Sequence, residues 1–298
     1  MKLLLTGAFN YSKEQLKELE KNHQLFFLQN EKDKLTFDAI QIEAVVCNGL
    51  FLHHDIKKFK NLKIIQLTSA GIDRVPIDYI NEKKIKLFNA GDIYSIPVAE
   101  WAISKILEIY KKSYYFYKSK EKKEWKKERD VLELTDKTVA IIGYGNIGNE
   151  IAKRLKPFGV NIIGVGILAT ESDLLDEYFF INDIEKVLNK SDIIILTLPL
   201  SEQTKHFFNK EKIKMMKDKG VLINVSRGQI IDEKALIEAI EKNKFLGVAL
   251  DVFGDEPLDK KSKLWNYDNV IITPHNAFIS DKVDERMFEV IKKNLGWE

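Results

Sequence analysis

Apolar residues in this chain come in short β-branched runs, separated by polar stretches whose remaining apolar positions recur at helical spacing. Leu3 to Leu5, Leu25 to Leu28, Ala44 to Cys47, Ile64 to Leu67 and Ile85 to Phe88 are runs of strand length, mostly apolar, the pattern of strands covered on both faces. Ser12, with Gln15 three residues later, forms a capping box that opens an amphipathic helix through about Glu20. Lys57 to Lys60 reads as the solvated face of a helix, and Pro76 stands just ahead of another short one. This alternation predicts a small parallel sheet with helices on both faces. Val98 to Tyr117 is a longer pattern, with Ala99, Ala102, Ile103, Ile106, Leu107 and Tyr110 on one stripe. It predicts a single long helix connecting the first half of the chain to the second.

Beyond that helix the periodicity becomes diagnostic. Thr138 to Ile142 predicts a buried strand, Ile147, Ile151 and Leu155 a helix ended by Pro157 and Gly159, and Val160 to Val165 a second strand. The turn between strand and helix is Gly143-Tyr144-Gly145-Asn146-Ile147-Gly148, a G-x-G-x-x-G pattern inside a βαβ unit. Gly143 serves the tight turn, Gly145 admits a pyrophosphate to the backbone, and Gly148 allows close helix–strand packing. The N–H groups at the helix start, from Asn146 and Ile147 on, favour phosphate. The stretch predicts dinucleotide binding. An acid that takes the adenosine ribose normally ends the second strand, and here Gly166 holds that place. Without it a 2′-phosphate is not repelled, yet no arginine stands there to hold one, so NAD and NADP both remain open.

The alternation continues with a helix at Ile184 to Leu188, strands at Asp192 to Leu198, Val221 to Val225, Leu246 to Val252 and Val270 to Thr273, and a helix at Lys210 to Met216. Asp232 caps a helix through Glu241, and Asp281 to Trp297 forms a closing helix. Six strands from Thr138 onward match a dinucleotide domain of two βαβαβ halves.

Size and composition narrow the function classes. The chain has 298 residues, 45% hydrophobic, a length that suits two domains. Lys plus Arg number 47 against 45 Asp plus Glu, a net charge of +2, which argues against nucleic acid as a ligand. The aromatic, basic stretch Tyr114 to Arg129 (YYFYKSKEKKEWKKER) therefore reads as an interface with solvated lysines. The single cysteine, Cys47, lies in an apolar run and reads as a buried hydrophobe in a reducing cytoplasm. No apolar run approaches the ~20 residues of a membrane span. No metal is assigned.

Three polar residues stand just beyond predicted strands: Arg227 after Val221 to Val225, Glu256 after Leu246 to Val252, and His275 after Val270 to Thr273. Strand C-termini are where such a sheet places its ligand. Arginine offers paired N–H bonds to a carboxylate and its neighbouring carbonyl. Histidine exchanges a proton with a developing alkoxide near neutral pH, and a carboxylate beside it holds the ring and favours its charged form. The set suits hydride chemistry on a 2-keto or 2-hydroxy acid. Ser69-Ala70-Gly71, after Ile64 to Leu67, is a second loop of the same kind.

GYGNIG at Gly143, NVSRGQIIDEKAL at Asn224, ALDVFGDEPL at Ala249 and TPHNAF at Thr273 resemble the motifs of the D-isomer-specific 2-hydroxyacid dehydrogenase family, in the family's order. That family includes D-lactate, glycerate, phosphoglycerate and glyoxylate/hydroxypyruvate enzymes, and the similarity runs from about Leu67 to the C-terminus. Together with the strand pattern it implies an α/β fold with a Rossmann-type doubly wound parallel-sheet domain, residues 96–279. That domain is inserted into a smaller flavodoxin-like α/β substrate domain, residues 1–95 plus 280–298, with a cleft between the two. The resemblance implies substrate binding by Arg227 and catalysis by His275 paired with Glu256. It gives Asp251 to the nicotinamide carboxamide, and Ser95, Pro199 and Thr204 to the cofactor cleft. It gives the backbone N–H groups of Ser69, Ala70 and Gly71 to the substrate carboxylate, and homodimers formed through the nucleotide domain. Asn276, after the histidine, departs from the family's smaller apolar residue or threonine. A nicotinamide-sensing, corepressor-like binding protein on the same fold is the alternative reading.

Overall fold

In a computed structural model, described over residues 1–296, the chain divides into two compact units, Met1–Tyr94 with Ser280–Glu298 and Ser95–Ile279. The first unit contains β1 (Lys2–Thr6), α1 (Lys13–Glu20), β2 (Gln24–Leu28), β3 (Ala44–Cys47), β4 (Ile64–Leu67), α2 (Ile77–Glu82) and β5 (Lys86–Phe88). Its five strands are parallel in the order β2-β1-β3-β4-β5, the flavodoxin-like arrangement. Alternate residues of each strand face opposite sides. Leu4, Val45, Cys47, Ile65 and Leu67 enter one core, while Leu3, Leu5, Ala44 and Val46 enter another. The second core is closed by Leu19 of α1 and by Met287, Phe288 and Ile291 of the C-terminal helix Val283–Asn294. Asn294 Nδ2 donates to Gln66 Oε1 at 2.7 Å, which satisfies a glutamine fully buried in β4.

Local signals set most boundaries in this unit. Ser12 and Gln15 form the reciprocal capping box of α1. The segment at Lys57 is one 3₁₀ turn, Ile56–Lys58, capped by Asp55, and not a helix. Ile56 and Phe59 anchor it in the core while the lysines between and after them are exposed. The C-terminal helix starts at Val283 rather than Asp281, and Trp297 lies outside the described residues.

The second unit opens with α3 (Ser95–Tyr110) and α4 (Ser113–Glu121) where the pattern predicts one helix. Lys112 lies between them in the left-handed region, φ 52°. The stripe of α3 stays in the core as far as Tyr110, but α4 buries only Ser119. With no apolar face holding the helix to the sheet, one left-handed residue, costing about 1–2 kcal/mol, redirects the chain.

There follow β6 (Thr138–Ile142), α5 (Asn146–Leu155), β7 (Asn161–Gly166), β8 (Glu177–Phe180), α6 (Glu185–Leu188), β9 (Ile193–Leu196), α7 (Lys210–Met215), β10 (Gly220–Asn224), α8 (Glu233–Glu241), β11 (Phe245–Leu250) and β12 (Val270–Ile272). They form one parallel sheet of seven strands, ordered β12-β11-β10-β9-β6-β7-β8. The extra strand relative to the expected six is β8. It lies at the sheet edge, where its terminal residues Glu177 and Phe180 are exposed and Tyr178 and Phe179 only half-buried, so it lacks the full burial of the inner strands. Ala140, Ile142, Ile194, Leu196, Leu222 and Val248 face a core shared with α6, α7 and α8. On the other face α3 and α5 pack closely enough that a Cβ at Gly247 of β11 would meet Ile109 at 2.6 Å. The strand order reverses between β6 and β9, the switch point at which a doubly wound sheet opens its ligand crevice. Among the described residues no helix is long and apolar enough to cross a membrane.

Candidate active site

The turn from β6 into α5 lies at that switch point. Gly143 has φ 103°, and a Cβ there would stand 2.7 Å from the Leu198 nitrogen. The turn and the close approach of the loop after β9 therefore both require glycine. Thr197 Oγ1 donates to the Gly143 carbonyl at 2.9 Å and ties the same two loops together. Gly148 is tight against Ile141 at 3.0 Å and Tyr144 at 3.3 Å, so it serves helix–strand packing. Gly145 differs, because a Cβ there would meet only the Gly143 carbonyl oxygen, at 3.9 Å. Among the described residues no other atom lies within 4 Å of that Cβ, so the backbone at 145 is open to a group approaching from outside. Gly145 is also the N-cap of α5, which has no side-chain cap and no acid in its first turn. The first intrahelical bond runs from Asn149 N to Gly145 O, so the N–H groups of Asn146, Ile147 and Gly148 have no partner within the helix. By contrast, α1, α7 and α8 are capped by Ser12, Asn209 and Asp232. This end fits the pyrophosphate of a dinucleotide. In the neighbouring loop Thr204 Oγ1 donates to the Pro199 carbonyl and accepts from Ser201 N, each at 2.7 Å, fixing the two cofactor candidates relative to each other. Ser95 is buried at the first residue of α3.

Arg227, Glu256 and His275 follow the adjacent strands β10, β11 and β12, which places them beyond one side of the sheet. Two of them touch: His275 Nδ1 lies 2.8 Å from Glu256 Oε2, with both side chains about a third exposed, 31% and 35%. Glu256 Oε1 accepts the Phe253 N–H at 3.0 Å, so the carboxylate is oriented from both ends. The ring of Phe278 meets the His275 ring edge-on, with centroids 6.0 Å apart. Arg227 sits in extended conformation at the start of a 3₁₀ turn, and its Nη1 donates to the Ser226 carbonyl at 2.9 Å. Asn224 shapes this turn: its Nδ2 donates to Arg227 O, and its Oδ1 accepts from Ser226 N and Oγ. At Gly228 an added Cβ would fall 1.8 Å from the Phe253 carbonyl carbon. The arginine turn and the Glu256 loop thus cross in direct backbone contact.

Asp251 has a role that the sequence did not reveal. It is 2% exposed, and its carboxylate is engaged by the turn that carries the histidine. Oδ1 accepts Thr273 Oγ1 at 2.5 Å and Asn276 N at 2.8 Å, and Oδ2 accepts Ala277 N at 3.0 Å. Its carbonyl accepts His275 N at 2.8 Å. His275 has φ 51°, a left-handed conformation that this clamp holds. All of these carboxylate bonds go to the chain itself.

In the first unit, Ser69 O accepts Ala90 N, Ala70 O accepts Asn89 Nδ2, and Gly71 O accepts Ser69 Oγ. Among the described residues the N–H groups of these three residues have no acceptor, which suits them to a carboxylate.

A family model described as the D-isomer specific 2-hydroxyacid dehydrogenase NAD binding domain matches residues 103–277. The hydroxypyruvate reductase of Thermotoga maritima is 38% identical over 275 residues, covering 89% of each chain. The D-3-phosphoglycerate dehydrogenase of Methanocaldococcus jannaschii is 36% identical over 261 residues, 85% of this chain and 50% of that protein, so this chain spans half the length of that relative. Among solved structures, D-lactate dehydrogenase from Aquifex aeolicus complexed with NAD and lactic acid superposes with a TM-score of 0.85 at 28% identity, covering 99% and 94% of the two chains.

Proposed function

Because this chain belongs to the D-isomer-specific 2-hydroxyacid dehydrogenase family, we propose that it is an NAD(P)-dependent reductase interconverting a small 2-keto acid and its D-2-hydroxy acid. The observation that carries the reading is the Glu256–His275 pair, oriented by the Phe253 N–H on one side and by the Asp251 clamp on the other. When bound, the reduced nicotinamide supplies a hydride to the keto carbon. An ionised Glu256 only accepts hydrogen bonds, so His275 Nδ1 must donate to it, leaving Nε2 to deliver the proton to the substrate oxygen. Arg227 is the proposed clamp for the carboxylate and carbonyl of the acid, and the N–H groups of Ser69, Ala70 and Gly71 are the proposed substrate-binding set of the first unit. Asp251, Ser95, Pro199 and Thr204 complete the proposed set for the cofactor, with Asp251 acting chiefly through the histidine turn.

Relatives named hydroxypyruvate reductase and D-lactate dehydrogenase support a short acid such as glyoxylate, hydroxypyruvate or pyruvate. The same proposal includes a cytoplasmic homodimer that covers α4, where Tyr114, Phe116 and Tyr117 are 44%, 41% and 64% exposed. Light scattering on the purified protein reads that assembly. The test of activity is loss of absorbance at the reduced-nicotinamide band with a panel of 2-keto acids, run with NADH and with NADPH. Oxidation with any short keto acid supports the reductase. Tight dinucleotide binding without oxidation by any of them would replace it with the sensor.

A further inference from the structure

We infer that Tyr178 fills the position of the missing ribose-binding acid and turns this chain toward NAD(H). The inference rests on reading the glycine turn as the dinucleotide site. Gly166 ends β7, where a carboxylate would normally stand. A Cβ built there would lie 2.4 Å from the Tyr178 hydroxyl oxygen and 3.5 Å from its Cζ, so the hydroxyl takes up the space a side chain at 166 needs. Tyr178 reaches this place from the neighbouring strand β8, paired beside Gly164, where a side chain would again meet its ring, at 3.1 Å. The hydroxyl donates to the Leu168 carbonyl, and the ring packs edge-on against Phe180 with centroids 6.0 Å apart. Both contacts hold the tyrosine over the end of β7.

Further hydroxyls belong to the glycine turn, whose Tyr144 N–H donates to the Val165 carbonyl of β7 at 2.9 Å. Tyr144, within the glycine turn, has its hydroxyl 3.1 Å from Ser172 Oγ and 3.2 Å from Asn149 Oδ1. Neutral groups that both donate and accept thus replace a carboxylate that only accepts. They suit a ribose hydroxyl. Between Gly166 and Tyr178 the chain has Glu171, Asp173, Asp176 and Glu177 and no lysine or arginine. Asp176 is paired with Lys156 and Glu177 with Lys190, while Glu171 and Asp173 are exposed. A 2′-phosphate would meet acids without a guanidinium or ammonium from this segment. Preference for NAD(H) therefore comes from an uncompensated phosphate and a hydroxyl partner, with no acid at 166.

Dissociation constants for NADH and NADPH, measured by titration calorimetry on the wild type, Y178F, G166D and G166D/Y178F, test this without turnover. The wild type should bind NADH at least about 10-fold tighter than NADPH, the ratio expected of one lost charge interaction. Y178F keeps the ring and loses the hydroxyl, and should weaken NADH by about 2–10-fold, the worth of one net hydrogen bond, with a smaller effect on NADPH. G166D alone must displace Tyr178 and should bind NADH less well than G166D/Y178F, in which the new carboxylate has room and raises the preference for NADH. NADPH bound as tightly as NADH by the wild type would overturn the inference. So would a Y178F variant that leaves both constants unchanged, or a G166D variant indifferent to the residue at 178. If neither nucleotide binds, the dinucleotide reading itself falls and takes this inference with it, a result distinct from a wrong preference.

Discussion

Glu256→Gln replaces one carboxylate oxygen with an amide nitrogen and leaves the volume of the side chain almost unchanged. Oε1 and Oε2 are both in use, one accepting the Phe253 N–H at 3.0 Å and the other facing His275 Nδ1 at 2.8 Å. A glutamine can serve only one of these donors with its oxygen. If it keeps the Phe253 bond, its NH₂ faces Nδ1, and the ring must shift its proton to Nε2 to accept. The imidazolium form, the proposed proton donor, then loses its counter-charge. If the amide flips, its NH₂ opposes the Phe253 N–H and the loop that carries residue 256 loses its anchor. A hydrogen bond to a charged group is worth about 1.5–3 kcal/mol. The side chains here are 31% and 35% exposed, so solvent screening reduces that to roughly 1–2 kcal/mol. At about 1.4 kcal/mol per decade the variant should lose roughly 5–30-fold in kcat for keto-acid reduction. The assay is steady-state oxidation of saturating NADH, with NADH affinity measured separately and expected to be unchanged. A kcat within twofold of wild type would refute the claim that this pair sets up the proton transfer.

Other changes separate ligand roles from packing roles. Gly145→Ala should cost no more than about 1 kcal/mol of stability, the penalty of alanine at an N-cap, because its Cβ meets only one atom at 3.9 Å, yet weaken dinucleotide binding in calorimetry by about tenfold or more. Equal binding would remove the glycine turn from the site. Arg227→Ala should raise KM for the keto acid with little effect on NADH affinity, as expected for loss of a paired charge-assisted contact of about 1.5–3 kcal/mol; unchanged KM and kcat would end its role as clamp. Asp251→Asn leaves an amide N–H opposing one of the donors it now accepts. It should cost about 1–3 kcal/mol of stability, seen as an earlier denaturant midpoint, and lower kcat more than it raises KM. A variant with normal kcat would show that the His275 turn holds without this clamp.

Where the signals were local, the sequence identified the elements. The Ser12–Gln15 capping box, the apolar runs of β3, β4 and β6 and the Asp232 cap of α8 each depend on neighbours within a few residues. What was missed depends on partners far along the chain. Strand β8 (EYFF) is a short, half-buried edge strand with no β-branched residue, unlike the inner strands of the sheet. Without it, the reason for glycine at 166, a tyrosine from that strand, is invisible. The break at Lys112 follows from the loss of a buried face after Tyr110, which helical spacing alone does not register. The three donors to the Asp251 carboxylate come from residues after β12, so the motif suggested the importance of Asp251 but not its partners. Gly228 in the S-R-G turn is explained only by the Phe253 backbone lying against it.

The most direct measurement is kcat for reduction of a short 2-keto acid by His275→Ala beside the wild type, with NADH binding measured on the same preparations. The expected fall is roughly 10²–10⁴-fold, the range for loss of a general acid, at unchanged NADH affinity. Turnover surviving the substitution, with the cofactor still bound, would contradict His275 as the proton donor.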